Sequence, residues 1–317
     1  MKDTALENTP AERSPWARSW PGRLATRCGA LLSLMRPRQW IKSAFVLAPL
    51  LFTGQFLNPR VIGQSLYAAL LFSLASACVY IVNDIRDLEA DRRHPRKSRT
   101  RALAAGRASV PQALGLLVLL YALLLALGLA MPRVGWVIVA YLLLNLAYTF
   151  VLKHEPVIDI FTIALGFVLR VYAGASAQEV PVSDWMFVTT LCLALFLAAV
   201  KRRQELSQSG ADARLVLRKY SVALVDRYAQ MSATGALVFY SLFVMTGRPH
   251  LILTVPVVLF GLFRYWYVVG EQEQGESPTD VLLSDWQLLA TVLAWVGLCV
   301  WALWPAGVLL LWLKVGT

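Results

Sequence analysis

Beyond residue 42, long apolar runs alternate with short charged blocks along the rest of the chain. Nine runs read as membrane helices, at roughly 43–57, 62–82, 111–131, 134–152, 157–176, 185–200, 231–247, 250–269 and 287–313. A bilayer core is crossed by about 20 mainly apolar residues in a helix, and several of these runs are shorter. The pattern predicts an all-α polytopic membrane protein of about nine transmembrane helices. The last run is long enough to tilt or to break near Pro305. Residues 1–35 are polar, basic and interrupted by Pro10, Pro15 and Pro21, which suits a flexible tail and not a cleavable signal. Residues 36–317 read as one transmembrane domain.

Composition agrees with the pattern. Only 15% of the 317 residues are charged, against about 25% in soluble domains. The net charge of +11 invites a nucleic-acid reading. Its distribution argues for membrane topology instead. Eight Lys and Arg lie in the segment ending at Lys42, eight between residues 83 and 110, one at Lys153 and seven between 201 and 230. On the other side of the predicted spans stand only Arg60, Arg133, Arg248 and Lys314. The positive-inside bias then places the N-terminus in the cytoplasm and the C-terminus outside, as an odd number of spans requires. A bacterial inner membrane is the expected location. Four cysteines, Cys28, Cys78, Cys192 and Cys299, have no metal-type spacing.

The strongest chemical signal follows the second run. Asn83, Asp87 and Asp91 stand at i, i+4 and i+8, which on a helix lines three oxygen-bearing side chains along one stripe. Stacked carboxylates need a counter-charge. A solvated helix end paired with Arg86, Arg92 and Arg93 would supply one. The leading Asn, the position at a span's cytoplasmic end and the following His94-Pro95 favour a metal site. Mg²⁺ takes oxygen ligands, commonly one or two carboxylates together with water and substrate phosphates. Asp84 and Glu89 fall off the stripe and read as structural. In the loop that follows, Lys97 and Arg101 are candidate grips for phosphate oxygens.

A second, basic constellation ends the sixth run: Lys201-Arg202-Arg203-Gln204-Glu205. It reads either as a topology anchor or as the partner of the acidic stripe, the two clamping a molecule with separated phosphates. Tyr148 and Lys153 near the end of the fourth run, Asp159 at the start of the fifth and Arg170 within it point inward. A charge buried that deep is costly and often faces a cavity or pairs with an acid on another helix. Lys42, just ahead of the first run, is a lipid-phosphate or topology residue. The acidic stretch 271–285 reads as a solvated cytoplasmic loop.

These residues resemble a family. Asn83-Asp84-x-x-Asp87-x-x-x-Asp91 is similar to the first Asp-rich motif of the UbiA superfamily of intramembrane prenyltransferases. More narrowly, the chain resembles the branch that moves phosphoribose onto decaprenyl phosphate. Arg36-Pro37-Arg38-Gln39-Trp40, Asp91-Arg92-x-His94-Pro95-x-Lys97, Leu152-Lys153-His154, Gly166-Phe167-x-Leu169-Arg170, Lys201-Arg202-Arg203-x-Glu205-Leu206 and Leu217-Arg218-x-Tyr220-Ser221 carry that likeness. The resemblance implies a UbiA-like bundle with a cytoplasm-facing cavity. It also implies Mg²⁺ on Asn83, Asp87 and Asp91, phosphoribosyl pyrophosphate (PRPP) as donor and a polyprenyl phosphate as acceptor, with pyrophosphate released.

Ordinary members hold a prenyl diphosphate between two acidic motifs. Here the second is basic, which suits the 5-phosphate of PRPP. On this reading Lys97 and Arg101, or Arg99 in its place, hold the diphosphate, and Lys201, Arg202 and Lys153 hold the 5-phosphate. Lys42 or Arg170 orients the lipid phosphate. Glu205 and Tyr148 complete the substrate-binding set. Two alternatives remain open. One is a prenyl diphosphate donor with an aromatic or other small acceptor, which predicts carboxylates in the second loop. The other is a lipid transporter, which predicts helices broken at mid-membrane. Membrane lipids are the expected surroundings, no nucleic acid is expected, and association into homo-oligomers is left open.

Overall fold

The computed structural model describes residues 29–209, 215–271 and 278–304. Most of the N-terminal tail, the centre of the acidic stretch and the expected break at Pro305 lie outside the described residues. Every described element is helical. Residues 29–35 are helical and lead into a 3-10 helix, Pro37–Leu47, and a short α1, Ala48–Phe52. Then come α2 (Pro59–Arg86), α3 (Leu88–Arg93), α4 (Lys97–Thr100), α5 (Val110–Gly128) and α6 (Pro132–Phe150). The second half holds α7 (Ile158–Gln178), α8 (Asp184–Ser209), α9 (Val222–Gly247), α10 (Thr254–Glu271), α11 (Pro278–Ser284) and α12 (Trp286–Ala302).

Seven helices are long and apolar enough to cross a membrane: α2, α5, α6, α7, α8, α9, and α10 with its 3-10 lead-in. Helix α12 is apolar but only 17 residues long within the described range. Helix starts follow local chemistry. Asn58 caps α2 ahead of Pro59, Ser109 and Gln112 form a capping box on α5, and Ser221 and Asp285 cap α9 and α12.

The first expected span is not one continuous α-helix. Residues 43–57 begin in the 3-10 helix and restart at Ala48, with Pro49, whose missing N–H suits a helix's first turn, next to it. This segment lies on α7 so closely that a Cβ at Gly174 would sit 1.8 Å from the Val46 carbonyl oxygen. Backbone rests on backbone there, and only glycine permits it. Phe45 packs edge-on against Phe167, with ring centroids 5.0 Å apart, and completes the seam.

Helices α2 and α7 form the centre. Their buried faces are rich in small residues, among them Ala68, Ser73, Ala75, Ser76 and Ala77 on α2 and Ala164, Gly166, Ala173 and Ala177 on α7. Small side chains let membrane helices approach closely where lipid gives no hydrophobic drive between them. Helices α5, α6 and α10 instead turn large apolar side chains outward, such as Leu125, Trp136, Leu143 and Phe263. In water such a surface would be an aggregation hazard; against acyl chains it is the ordinary exterior.

Candidate active site

The acidic stripe starts inside a helix and finishes beyond its end. Helix α2 stops at Arg86, and Asp87, at φ −96° and ψ 10°, joins it to α3. The spacing survives the joint. The Asp87 N–H donates to the Asn83 carbonyl at 2.9 Å, and the Asp91 N–H to the Asp87 carbonyl at 2.8 Å. Each of the three residues therefore stands one turn from the next. The side chain of Asp87 is 42% exposed and that of Asp91 only 7%.

Cations from other segments meet Asp84, Asp87 and Asp91. Lys153 Nζ lies 2.8 Å from Asp87 Oδ1, and Lys97 Nζ 3.4 Å from Asp91 Oδ1. Asp84, one residue off the stripe, is buried and accepts hydrogen bonds from both Arg36 and Arg101 on one oxygen. Arg36 also lies over the Tyr80 ring, 4.8 Å from its centroid, and adopts a left-handed backbone at φ 50°. Asn83 Oδ1 accepts from the Thr149 hydroxyl. The sequence placed Arg101 and Arg99 in competition for one role; Arg101 turns inward to Asp84, and Arg99 is exposed.

Among the described residues no group of three His, Cys, Asp or Glu is set to hold a metal. The donor set of the stripe is different: two carboxylates and one amide oxygen, one turn apart. Mg²⁺ commonly takes one or two protein carboxylates and completes its shell with water and phosphate oxygens. Asn83, Asp87 and Asp91 fit that demand.

The basic end of α8 behaves differently. Arg202 is 0% exposed. Its Nε donates to Asp159 Oδ2 at 2.6 Å, one terminal nitrogen to Glu205 Oε2 at 2.5 Å and the other to the Tyr148 hydroxyl at 3.0 Å. Asp159, also 0% exposed, accepts the Tyr220 hydroxyl at 2.7 Å. That hydroxyl oxygen in turn accepts the Val157 N–H at 2.5 Å. Burial, foremost, raises the Tyr220 phenol above its ordinary pKa, so it stays protonated and able to donate. Val157 sits at φ 68°, a costly backbone for a β-branched residue, and this bond helps to hold it there. Arg202, expected to grip phosphate, and Glu205 and Tyr148, expected in the substrate-binding set, thus bond to one another. Lys201 is half-exposed, 4.0 Å from Glu205, and Arg203 pairs with Asp226 at 2.8 Å.

Two adjacent residues at the end of α6 connect these clusters. Tyr148 faces Arg202, and Thr149 faces Asn83. Four residues on, Lys153 reaches Asp87. The ends of α2, α6 and α8 and the start of α7 therefore form one rim.

Deeper in the bundle, Arg170 is 4% exposed. It donates to the Gly166 carbonyl at 2.7 Å, to Ser76 Oγ at 3.1 Å and to the Tyr141 hydroxyl at 3.2 Å. It also lies against the rings of Phe72, Tyr141 and Phe167 at 4.9–5.1 Å. Among the described residues no carboxylate pairs with it, and its Nε has no partner. Ser76 precedes Asn83 by two helical turns, so Arg170 lies about 10 Å below the stripe. Lys42 is half-buried on the 3-10 helix. Burial first, then the positive fields of Arg170 and Arg36, lower its pKa to about 8. Arg264, the other cation within a predicted span, pairs with Asp285 at 2.7 Å.

Asp84 is structural, as its place off the stripe implied, but its partners and the role of Tyr220 were not legible from spacing. Asp84 organises two arginines, and Tyr220 closes a network around a strained backbone. The arginine partners of Asp84 lie 48 and 17 residues away, and no periodicity reports such pairs.

Comparison with known proteins locates this arrangement. The model of the UbiA prenyltransferase family matches residues 43–281. A Corynebacterium glutamicum protein named decaprenyl-phosphate phosphoribosyltransferase is 35% identical over 307 residues, covering 92% of this chain and 91% of the relative. One of the same name from Mycobacterium tuberculosis H37Rv is 33% identical, covering 86% and 93%. Among solved structures, a UbiA homolog from Archaeoglobus fulgidus bound to GPP and Mg²⁺ superposes with a TM-score of 0.66. It is 18% identical and covers 86% of this chain and 99% of that one.

Proposed function

The chain belongs to the UbiA prenyltransferase family, a multi-pass membrane transferase, and from that premise we propose that it transfers 5-phosphoribose from PRPP to a polyprenyl phosphate, releasing pyrophosphate. The names of its relatives at 33–35% identity support the donor and acceptor. The observation that carries the choice of donor is the end of α8. A prenyl diphosphate enzyme of this family is expected to offer a second set of carboxylates there. Here Asp159 and Glu205 are both committed to Arg202, and Asp226 to Arg203.

In this reading the rim faces the cytoplasm. Asn83, Asp87 and Asp91 would hold Mg²⁺, which would supply charge neutralisation on the departing diphosphate. Lys97 and Lys153 bind phosphate oxygens of the donor, and Lys201 is the half-exposed cation at the α8 end suited to the 5-phosphate. Arg202, enclosed by Asp159, Glu205 and Tyr148, positions that end of the rim. The acceptor's phosphate approaches from the membrane side, oriented by Lys42 with Arg170 behind it. Its oxygen attacks ribose C1 as the bond from C1 to the diphosphate oxygen breaks. The bond pair leaves with pyrophosphate, and C1 inverts. A phosphate monoester is largely dianionic at neutral pH, its second pKa being about 6, so no general base is required. Positioning and charge carry the rate.

The test is direct. Purified protein in detergent, given Mg²⁺, PRPP and a polyprenyl phosphate, forms a lipid-linked phosphoribose detectable by mass. Turnover of a prenyl diphosphate with an aromatic acceptor, and none of PRPP, would reverse the assignment of the donor.

A further inference from the structure

The rim carries more positive charge of its own than its carboxylates balance. Asp84 has two arginines, Asp87 has Lys153 and Asp91 has Lys97, so four cations face three carboxylates. These pairs are not alike. The Asp84 carboxylate is 4% exposed, and its arginines come from the 3-10 helix lead-in and the loop after α4. Lys153 and Lys97 reach the stripe itself on flexible four-carbon stems, and their partners are the residues suited to a divalent ion.

An ammonium and a divalent cation compete for the same carboxylate oxygens. A bare ion entering the stripe would add two positive charges to a surplus already present. Both lysines would lose their counter-ions in a site only partly open to solvent, where like charges are screened less than in bulk water. A diphosphate reverses the balance. Its oxygens accept the lysines as its bound metal takes the carboxylates.

We infer that Lys153 and Lys97 act as displaceable counter-ions that turn away a bare divalent ion and admit it as the chelate of a diphosphate. Metal and donor then bind with strong mutual dependence, and the lysines pass from carboxylate to phosphate in the same event. The inference rests on the proposed metal role of Asn83, Asp87 and Asp91, and not on the identity of the group attached to the diphosphate.

The experiment uses the full chain in detergent and reads Mn²⁺ binding by electron paramagnetic resonance. Mn²⁺ is added alone, with pyrophosphate, with PRPP and with a prenyl diphosphate. In the unsubstituted protein a diphosphate tightens Mn²⁺ binding by about 30-fold or more, within the usual range of coupling between sites. Lys153→Met tightens binding of bare Mn²⁺ by about 10-fold and weakens the coupling by at least a similar factor, because the diphosphate-bound state loses the lysine's contact with phosphate while the bare-metal state improves. Lys97→Met, with its longer contact, does the same to a smaller extent. Lys219→Met removes an exposed lysine, 3.9 Å from Glu155, and leaves both quantities unchanged. Thermal melting of each variant confirms folding. Mn²⁺ bound equally well with and without any diphosphate overturns the inference, as does a bare-metal affinity that Lys153→Met leaves unchanged. Coupling to pyrophosphate and a prenyl diphosphate but not to PRPP supports the inference and overturns the donor assignment instead.

Discussion

Helices α2 and α8 both end in dense runs of charge and meet at the same rim, yet they use that charge in opposite ways. At the end of α2 the pair nearest solvent is partly exposed, with Asp87 42% open on one side and Lys153 18% open on the other, while Asp84 and Asp91 lie deeper. At the end of α8, Arg202 and Asp159 pair with neither side chain exposed at all. The ingredients are alike: guanidinium or ammonium, carboxylate, and contacts of 2.6–2.8 Å. Burial separates them. A fully enclosed pair has no room to exchange partners, and breaking it leaves a naked charge. A half-open pair can trade one partner for another at small cost. The first arrangement holds helices in place, and the second can take part in chemistry.

The sharpest way to break this comparison is to remove one member of each pair. Arg202→Met strands the Asp159 carboxylate and is expected to destabilise the protein by about 3–5 kcal/mol. The measurement is thermal unfolding in detergent. Arg202→Met combined with Asp159→Leu removes both charges of the sealed pair and recovers part of that loss, Glu205 and the Tyr220 hydroxyl each still losing a partner. A single variant that melts like the parent would show the α8 cluster to be as dispensable as a surface pair.

Asp87→Asn tests the other side. Its carboxylate is open to solvent, so the melting temperature stays within a few degrees of the parent. Transfer from PRPP falls by about 100-fold, equivalent to about 2.7 kcal/mol of transition-state stabilisation. Full activity in this variant would remove Asp87 from the proposed metal set.

The smallest effect sharpens the comparison in depth. Burial above all, then the charges of Arg170 and Arg36, lowers the pKa of Lys42 to about 8, and Asp280 acts in the opposite direction. The cation is present below that pH and is lost as pH rises through it. If Lys42 orients the acceptor, KM for the polyprenyl phosphate rises by up to about 10-fold between pH 7 and 9, the proton being lost over that interval. Lys42→Arg keeps the charge throughout and flattens the profile, because a guanidinium does not titrate there. The same rise in both proteins would assign it to another group.

The sequence made some of this legible and concealed the rest for identifiable reasons. Seven of the nine apolar runs became helices long enough to cross a membrane, because hydropathy over some twenty residues is a property of the chain alone; the first run is a 3-10 segment and a short helix, and the last is helical over Trp286–Ala302 within the described residues. The stripe of Asn83, Asp87 and Asp91 was also legible, since spacing of four sets one helical face. The break at Asp87 was not visible, and it did no harm, because two backbone bonds carry the turn across it. The first run was legible as apolar but not as a 3-10 segment pressed onto Gly174. The basic run at 201–205 advertised phosphate binding by composition, whereas Arg202 itself is enclosed by Asp159, Glu205 and Tyr148.

The sequence by itself therefore determined the helical membrane architecture, the family and the local stripe of oxygen donors. Each of these depends on residues within a few turns of one another or on motifs held at fixed spacing. Only the tertiary structure decided which charges stay open and which are sealed. Lys153 meets Asp87 across 66 residues, and Arg202 meets Asp159 across 43. Exposure and pairing of a charge are set by what other helices bring against it, and no pattern along the chain encodes the dielectric in which a side chain finally rests.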